Sequence, residues 1–350
     1  VASESALKRV LVSGANGFIA AHAVERLLAR GNHVVGTVRD PGDPKNAFLR
    51  SMPGAERLTL VAADLGDADP FGAHVGVDAA LHMASPYVMD VRDPQRDLVD
   101  PAVNGTLAML RAAATSETVK RVVLTSSMAA VTDEPDGRLL AERDWNTQSS
   151  LTRNPYYYSK TLAERAAWEF MEREKPGFDL VVINPFLVIG PAHTKAVNTS
   201  NKIFVDLLAG TYPVVMALDW GFVDVRDVAD AHLAALEKPQ AHGRYLCAAE
   251  TMEMAQVVAL MRELGYVGKL PKIKLTGGVG TMLMRLASYA QPKGVGSYLC
   301  THLGRHPRFD TAKIRRELGI TFRPAADSIR DTLADLARWG HIEAPERRVA

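Results

Sequence analysis

Three observations predict an α/β protein, a Rossmann-type doubly wound parallel sheet with a smaller, mostly helical C-terminal lobe. Short β-branched runs recur through the first half of the chain: RVLVSG, HVVGTVR, LTLVAAD, DAALHMAS, RVVLTSS and LVVINP. Helical patterns separate them, as expected of parallel strands joined by crossover helices. A glycine-rich turn, GANGFIA, lies between the first run and the first helix.

The first helix is expected from about Phe18 to Arg30, with Ile19, Ala20, Ala23, Val24, Leu27 and Leu28 on one face, a stripe suited to packing on a sheet. In the turn before it, Gly14, Gly17 and Ala20 have the spacing of a dinucleotide phosphate loop. Gly14 makes the tight turn, Gly17 admits the pyrophosphate to the backbone, and Ala20 lets helix and strand touch. The helix N-terminus favours the anion, and Asn16, Phe18 and Ile19 are placed with the glycines at the cofactor. The second run ends in VVGTVRD, where Arg39 offers a cation to a ribose 2′-phosphate and Lys45 a second. Asp40 would favour NAD if turned inward; NADP(H) is the expected cofactor. Asp64 and Leu65, after the third run, are expected near the adenine, and Ala84 and Ser85, after the fourth, beside the ribose.

The fifth run continues as VVLTSSMAAV and is followed by NPYYYSK. Tyr156 lies four residues before Lys160; Tyr157 and Tyr158 do not. On a helix that spacing puts both side chains on one face. An ammonium beside a phenol lowers the phenol's pKa from about 10, towards the range useful for proton transfer. Tyr156 is therefore the expected general acid, and Ser127, in preference to Ser126, the hydroxyl that orients a carbonyl oxygen. After LVVINP comes a polar loop containing His193, then a helix near Lys202 to Leu208, then GFVDVRDVADAHLAALEK as strand and helix, then the strand GRYLCA. MEMAQVVALMREL, TMLMRLASYA, TAKIRREL and SIRDTLADLARWG read as helices. The expected division is a dinucleotide-binding domain over 7–190 with 222–248 returning to it, and a substrate lobe over 191–221 and 249–345.

The 41 basic and 40 acidic residues are mixed along the chain, so its net charge of +1 provides no field for nucleic acid or an anionic membrane. The two cysteines, Cys247 and Cys300, form no disulfide framework or zinc pattern, and no metal is expected. No run reaches the roughly 18 uncharged apolar residues of a spanning helix, and a cytoplasmic monomer or homodimer acting on a small molecule is expected.

Taken in order, Gly14-x-x-Gly17-x-x-Ala20, TSSMAAV, YYYSK and GFVDVRDVADAH resemble the extended short-chain dehydrogenase/reductase superfamily. TVRDP, SKTLAERAAWEF, INPFLVIGP and GRYLCA are similar to its dihydroflavonol 4-reductase and cinnamoyl-CoA reductase group, with its aldehyde and carbonyl reductase relatives. The likeness runs from about Lys8 to Gly340. It implies a Ser-Tyr-Lys triad at Ser127, Tyr156 and Lys160, in which hydride passes from nicotinamide to a carbonyl carbon while the tyrosine protonates the oxygen. It also implies that Lys160 holds the nicotinamide ribose, that Arg39 meets the 2′-phosphate, and that Asn184-Pro185 to Val188 lies beside the nicotinamide. The chain departs from the group at Thr132, where many flavonoid reductases carry asparagine, and at Ala102, where other short-chain enzymes carry a fourth catalytic asparagine.

The implied activity is NADPH-dependent reduction of an aldehyde or ketone bearing a bulky apolar or aromatic group, with Tyr87, Met128, Phe186, Tyr212 and Trp220 as candidate pocket walls. Rival activities on the same fold are a nucleotide-sugar epimerase or dehydratase with retained NAD, and a hydroxysteroid dehydrogenase. A non-catalytic dinucleotide sensor would have no need of Tyr156 and Lys160.

Overall fold

The computed structural model describes residues 8–85 and 91–345. Its strands β1 (Arg9–Val12), β2 (His33–Val38), β3 (Leu58–Ala62), β4 (Ala79–His82), β5 (Arg121–Thr125), β6 (Asp179–Pro185) and β7 (Gly243–Cys247) form one sheet in the order β7-β6-β5-β4-β1-β2-β3. All neighbours are parallel. The order reverses between β1 and β4, and a crevice opens at such a switch point outside the carboxyl ends of the strands.

Val10, Leu11 and Val12 are all fully buried although they alternate between the faces of β1. Such a run needs helices on both sides of the sheet. Helices α1 (Phe18–Ala29) and α4 (Val225–Glu237) cover one face, and α2 (Asp100–Thr115) and α3 (Pro155–Glu174) the other. Leu27 and Leu28 are fully buried beneath α1; each stabilises the fold by about 1.5–3 kcal/mol relative to exposure.

The strand Asp219–Asp224 joins a separate three-stranded sheet, parallel to Leu187–Ile189 and antiparallel to Glu250–Glu253. α4 and β7, which follow it, return to the large sheet. A second core gathers Phe204, Trp220, Phe222, Met254, Val257 and Leu333 from helices Lys202–Ala209, Met254–Glu263 and Ala325–Arg338 and from that strand. These non-contiguous segments support the interleaved division above, which we keep as a proposal.

One element differs from expectation. KGVGSYLCTH forms a helix, Lys293–His302, that its weak periodicity hides. A Cβ on Gly296 would stand 2.5 Å from the carbonyl oxygen of Ser288, so this helix needs glycine to lie against the end of helix Gly278–Ser288. TAKIRREL is helical as expected, its last turn wide over Ile314–Leu318. Among the described residues no helix is long and apolar enough to cross a membrane.

Candidate active site

β1 leads into the glycine turn. Gly14 has φ +65°, and a Cβ there would lie 3.1 Å from that of Ala84, so both the left-handed turn and the approach to the end of β4 exclude a side chain. The first turn of α1 has no acidic residue and no side-chain cap, which leaves its N–H groups for an anion. Gly17 is exposed, and Asn16, Phe18 and Ile19 are half-buried.

Asn16 Nδ2 donates to Asn46 Oδ1 at 2.8 Å, and Asn46 Nδ2 donates to the Asp40 carbonyl at 2.8 Å. These bonds fasten the segment after β2 to the glycine turn. The Asp40 carboxylate accepts from the Gly42 N–H at 2.8 Å and is committed to its own turn. Arg39 is exposed and makes no hydrogen bond or ion pair among the described residues, whereas Lys45 is paired with Asp43 at 2.7 Å. Hydrogen bonds from Lys45 hold the Asp43 carboxyl below its ordinary value. Arg39 is thus the more available of the two cations. Asp64 accepts from the Gly66 N–H at 2.9 Å, and Leu65 packs against Gly105 of α2.

The floor of the crevice is polar and buried. Ser13 Oγ accepts from the N–H groups of Met83 and Ala84, both at 2.9 Å, and lies 3.0 Å from His82 Nδ1. Ser85 Oγ accepts from Lys160 Nζ at 2.7 Å. Ser85, Ala84, Thr125, Ser126, Lys160 and Glu164 are among the residues lining a small hollow of about 10 Å³. Burial lowers the Lys160 ammonium to about 8, and its Nζ stands 5.8 Å from the centre of the Tyr156 ring. The two side chains share a face of α3, as their spacing predicts.

The two serines after β5 differ in commitment. Ser126 Oγ donates to Glu164 Oε2 at 2.6 Å. Ser127 Oγ accepts from the Ala129 N–H at 3.1 Å, and its own proton meets no acceptor among the described residues. Glu164 is a residue that sequence reasoning missed. It also accepts from Asn184 Nδ2 at 2.7 Å and from Arg244 Nε at 2.5 Å. Its spacing from Lys160 on α3 was a faint signal, but its partners lie just after β5 and on β6 and β7.

α3 begins at an unusual place. Asn154, immediately before it, has φ 47°. Its N–H donates to Ser297 Oγ at 2.9 Å, and its Nδ2 donates to Thr301 Oγ1 at 2.9 Å and to the buried Asp133. The helix bearing Tyr156 is thereby fastened to helix Lys293–His302.

The expected walls fare unequally. Trp220, 2% exposed, belongs to the second core and is withdrawn as a wall, since a side chain that packed presents almost no surface to a ligand. Met128 is 3% exposed and packs with Val131, Leu140 and Leu246, so it too supports the site from behind. Tyr212 packs against the second core, where burial raises its phenol to about 12. Phe186 is half-buried, with the Phe309 ring 5.2 Å away. Pro185 and Val188 are buried at and just beyond the end of β6. Tyr87 lies outside the described residues.

Buried imidazoles under and beside the crevice set an acid limit. Burial, with the Lys160 charge, lowers His82 to about 3; burial lowers His232 and His302 to about 4. The unfolded chain takes up their protons near pH 6.5 and the fold does not, so their contribution is complete above 6.5 and is lost as pH falls towards the folded values. Each group costs about 1.4 kcal/mol per pH unit in that window. The urea midpoint is expected to fall steeply between pH 6.5 and 4; a level profile would mean that these rings are protonated in the fold.

Comparison with known proteins agrees with this geometry. Residues 10–248 match the model of the "NAD dependent epimerase/dehydratase family". The chain is 37% identical to cinnamoyl-CoA reductase 2 of Arabidopsis thaliana, over 97% of this chain and 95% of that one. It is 34% identical to tetraketide alpha-pyrone reductase 1 of the same plant, over 97% and 98%. Among solved structures, yeast methylglyoxal/isovaleraldehyde reductase Gre2 complexed with NADPH superposes with a TM-score of 0.77 at 30% identity, covering 95% of this chain and 100% of that one. With the sheet order, the glycine turn and the Tyr156–Lys160 face in place, the chain belongs to the NAD dependent epimerase/dehydratase family, the extended short-chain dehydrogenases/reductases.

Proposed function

We propose that this NADP-dependent oxidoreductase reduces an aldehyde or ketone with a bulky apolar or aromatic substituent to the alcohol, using Ser127, Tyr156 and Lys160. The observation that carries the proposal is Lys160, a buried cation bonded to Ser85 and facing the Tyr156 ring. The relatives are reductases by name, and the yeast neighbour's complex holds NADPH.

The residues present suit the cofactor. Gly14 to Ile19 would hold the pyrophosphate, Arg39 the 2′-phosphate, Asp64 and Leu65 the adenine, Ala84, Ser85 and Lys160 the nicotinamide ribose, and Pro185 and Val188 the nicotinamide. When bound, the reduced nicotinamide supplies the hydride. Tyr156 gives its proton to the carbonyl oxygen as negative charge develops there. Lys160, mostly protonated at pH 7 with its pKa at about 8, stabilises the phenolate left behind. Ser127 donates to the same oxygen and fixes its direction, while Ser126 is held by Glu164. The half-buried Phe186 suits an apolar substituent.

The test follows loss of reduced-nicotinamide absorbance with NADPH and NADH over aromatic aldehydes, aryl ketones, ketoesters, a dihydroflavonol and a cinnamoyl thioester. Oxidation of NADPH by a carbonyl member is the expected outcome. No turnover with any member, together with NAD retained through purification, would favour an epimerase or dehydratase instead. Arg39→Glu is expected to lower the NADPH-over-NADH ratio of kcat/KM at least about tenfold, the loss of one charge-assisted contact. An unchanged ratio would remove Arg39 from the phosphate site.

A further inference from the structure

Three side chains away from the catalytic face converge between α1 and the loop that follows Leu187–Ile189. His22 Nδ1 lies 3.9 Å from Glu25 Oε2, and His193 Nε2 lies 3.6 Å from the same oxygen. The three atoms fall within 4.8 Å of one another. His22 and Glu25 share a face of α1 one turn apart, and only the fold brings His193 to them.

The two nitrogens are buried without a hydrogen-bond partner among the described residues, and their separations from the carboxylate exceed hydrogen-bond length. His22 Nε2 is 2.9 Å from the Pro191 carbonyl oxygen. Nε2 therefore carries the proton and donates, and the lone pair on Nδ1 faces Glu25. One ring nitrogen fixed by a carbonyl and the other left open is the arrangement of a metal-binding imidazole. The His193 ring stacks on Phe48 at 6.2 Å and sits 4.3 Å from the His22 ring. A tetrahedral zinc ion with bonds of about 2.0–2.2 Å holds its ligand atoms roughly 3.3 Å apart. The two separations from the carboxylate oxygen, 3.9 and 3.6 Å, exceed this by about 0.3–0.6 Å, and the two imidazole nitrogens, within 4.8 Å of each other, close on the ion by side-chain rotation. Arg26 Nη1 stands 3.7 Å from the same Glu25 oxygen, but its Nε is bonded to Asp230 at 2.6 Å, and Arg338 pairs with Asp335 at 2.6 Å.

We propose that His22, Glu25 and His193 bind a divalent ion of the zinc class, its fourth position open to solvent beside the half-exposed Glu25. The expectation that no metal binds rested on the cysteines; this set is invisible to it. The ion would clamp the loop after Gly190-Pro191 to α1.

The test uses the full chain, stripped with chelator and freed of any affinity tag. Titrated with Co²⁺, it is expected to bind one ion with intense visible bands typical of four-coordination, which Zn²⁺ then displaces. Zn²⁺ is expected to raise the melting midpoint by a few degrees, since it binds the folded state. His193→Ala and Glu25→Gln should each weaken Zn²⁺ binding at least about tenfold, as removal of a ligand requires. Glu25→Gln, on the exposed side, serves if His193→Ala fails to fold. Absence of Co²⁺ bands up to millimolar metal, or wild-type affinity in a folded variant, would overturn the proposal.

Discussion

Tyr156→Phe is expected to lower kcat for carbonyl reduction by about 10²–10⁴, the range for a positioned proton donor. The affinity for NADPH should hardly change. The substitution keeps the ring, its place on α3 and the Lys160 ammonium 5.8 Å from its centre; it removes the transferable proton. Tyr157→Phe and Tyr158→Phe are the informative controls. The Tyr157 hydroxyl lies 3.4 Å from His302 Nε2, on the side of helix Lys293–His302, so its loss should affect packing more than turnover. If single-turnover kinetics found Tyr157→Phe inactive and Tyr156→Phe active, the four-residue spacing would have chosen the wrong phenol.

Glu164→Ala is expected to destabilise the fold by about 3–5 kcal/mol, the cost of leaving a buried charge without its partner. The Glu164 side chain is wholly enclosed and the Arg244 side chain is 7% exposed. Once the carboxylate is gone, Arg244 keeps the carbonyl oxygens of Glu142 and Asp144, at 2.9 and 2.6 Å, and the Trp145 ring at 3.9 Å, but no opposing charge. Replacing both members, Glu164→Leu with Arg244→Met, should recover much of the loss, because well-packed apolar side chains often substitute for a buried pair. Denaturant midpoints of Glu164→Ala and of the double variant decide the matter: equal losses in both would mean that packing dominates. Activity should fall as well, because Asn184 Nδ2 bridges Glu164 and the Ser127 carbonyl oxygen, the latter at 3.1 Å.

What was legible in the sequence was local. The strand runs, the stripe on α1, the glycine turn and the Tyr156–Lys160 spacing are each set within a few residues, where periodicity and backbone sterics act. What was hidden joins distant segments. The anchoring of Ala84 by Ser13, the pairing of Glu164 with Arg244 and the meeting of His22 with His193 depend on strand order, which no local pattern reports. Trp220 shows the same limit from the other side: an aromatic residue looks alike in sequence whether it walls a cleft or fills a core. Asp40 was ambiguous for a different reason. Its orientation follows from a turn that ends at Gly42, and only the three-dimensional hydrogen bond settles where the carboxylate faces.

The fastening of Asn154 bears on how such a chain diversifies. Ser297 and Thr301, far along the polypeptide, set the first turn of the helix that carries Tyr156. A gene fusion that imports a relative's C-terminal segment to change substrate range also imports, or loses, those two hydroxyls. New specificity and correct seating of the proton donor then become one unit of exchange, and chimaeras joined between α3 and helix Lys293–His302 should succeed only when the incoming segment matches Asn154.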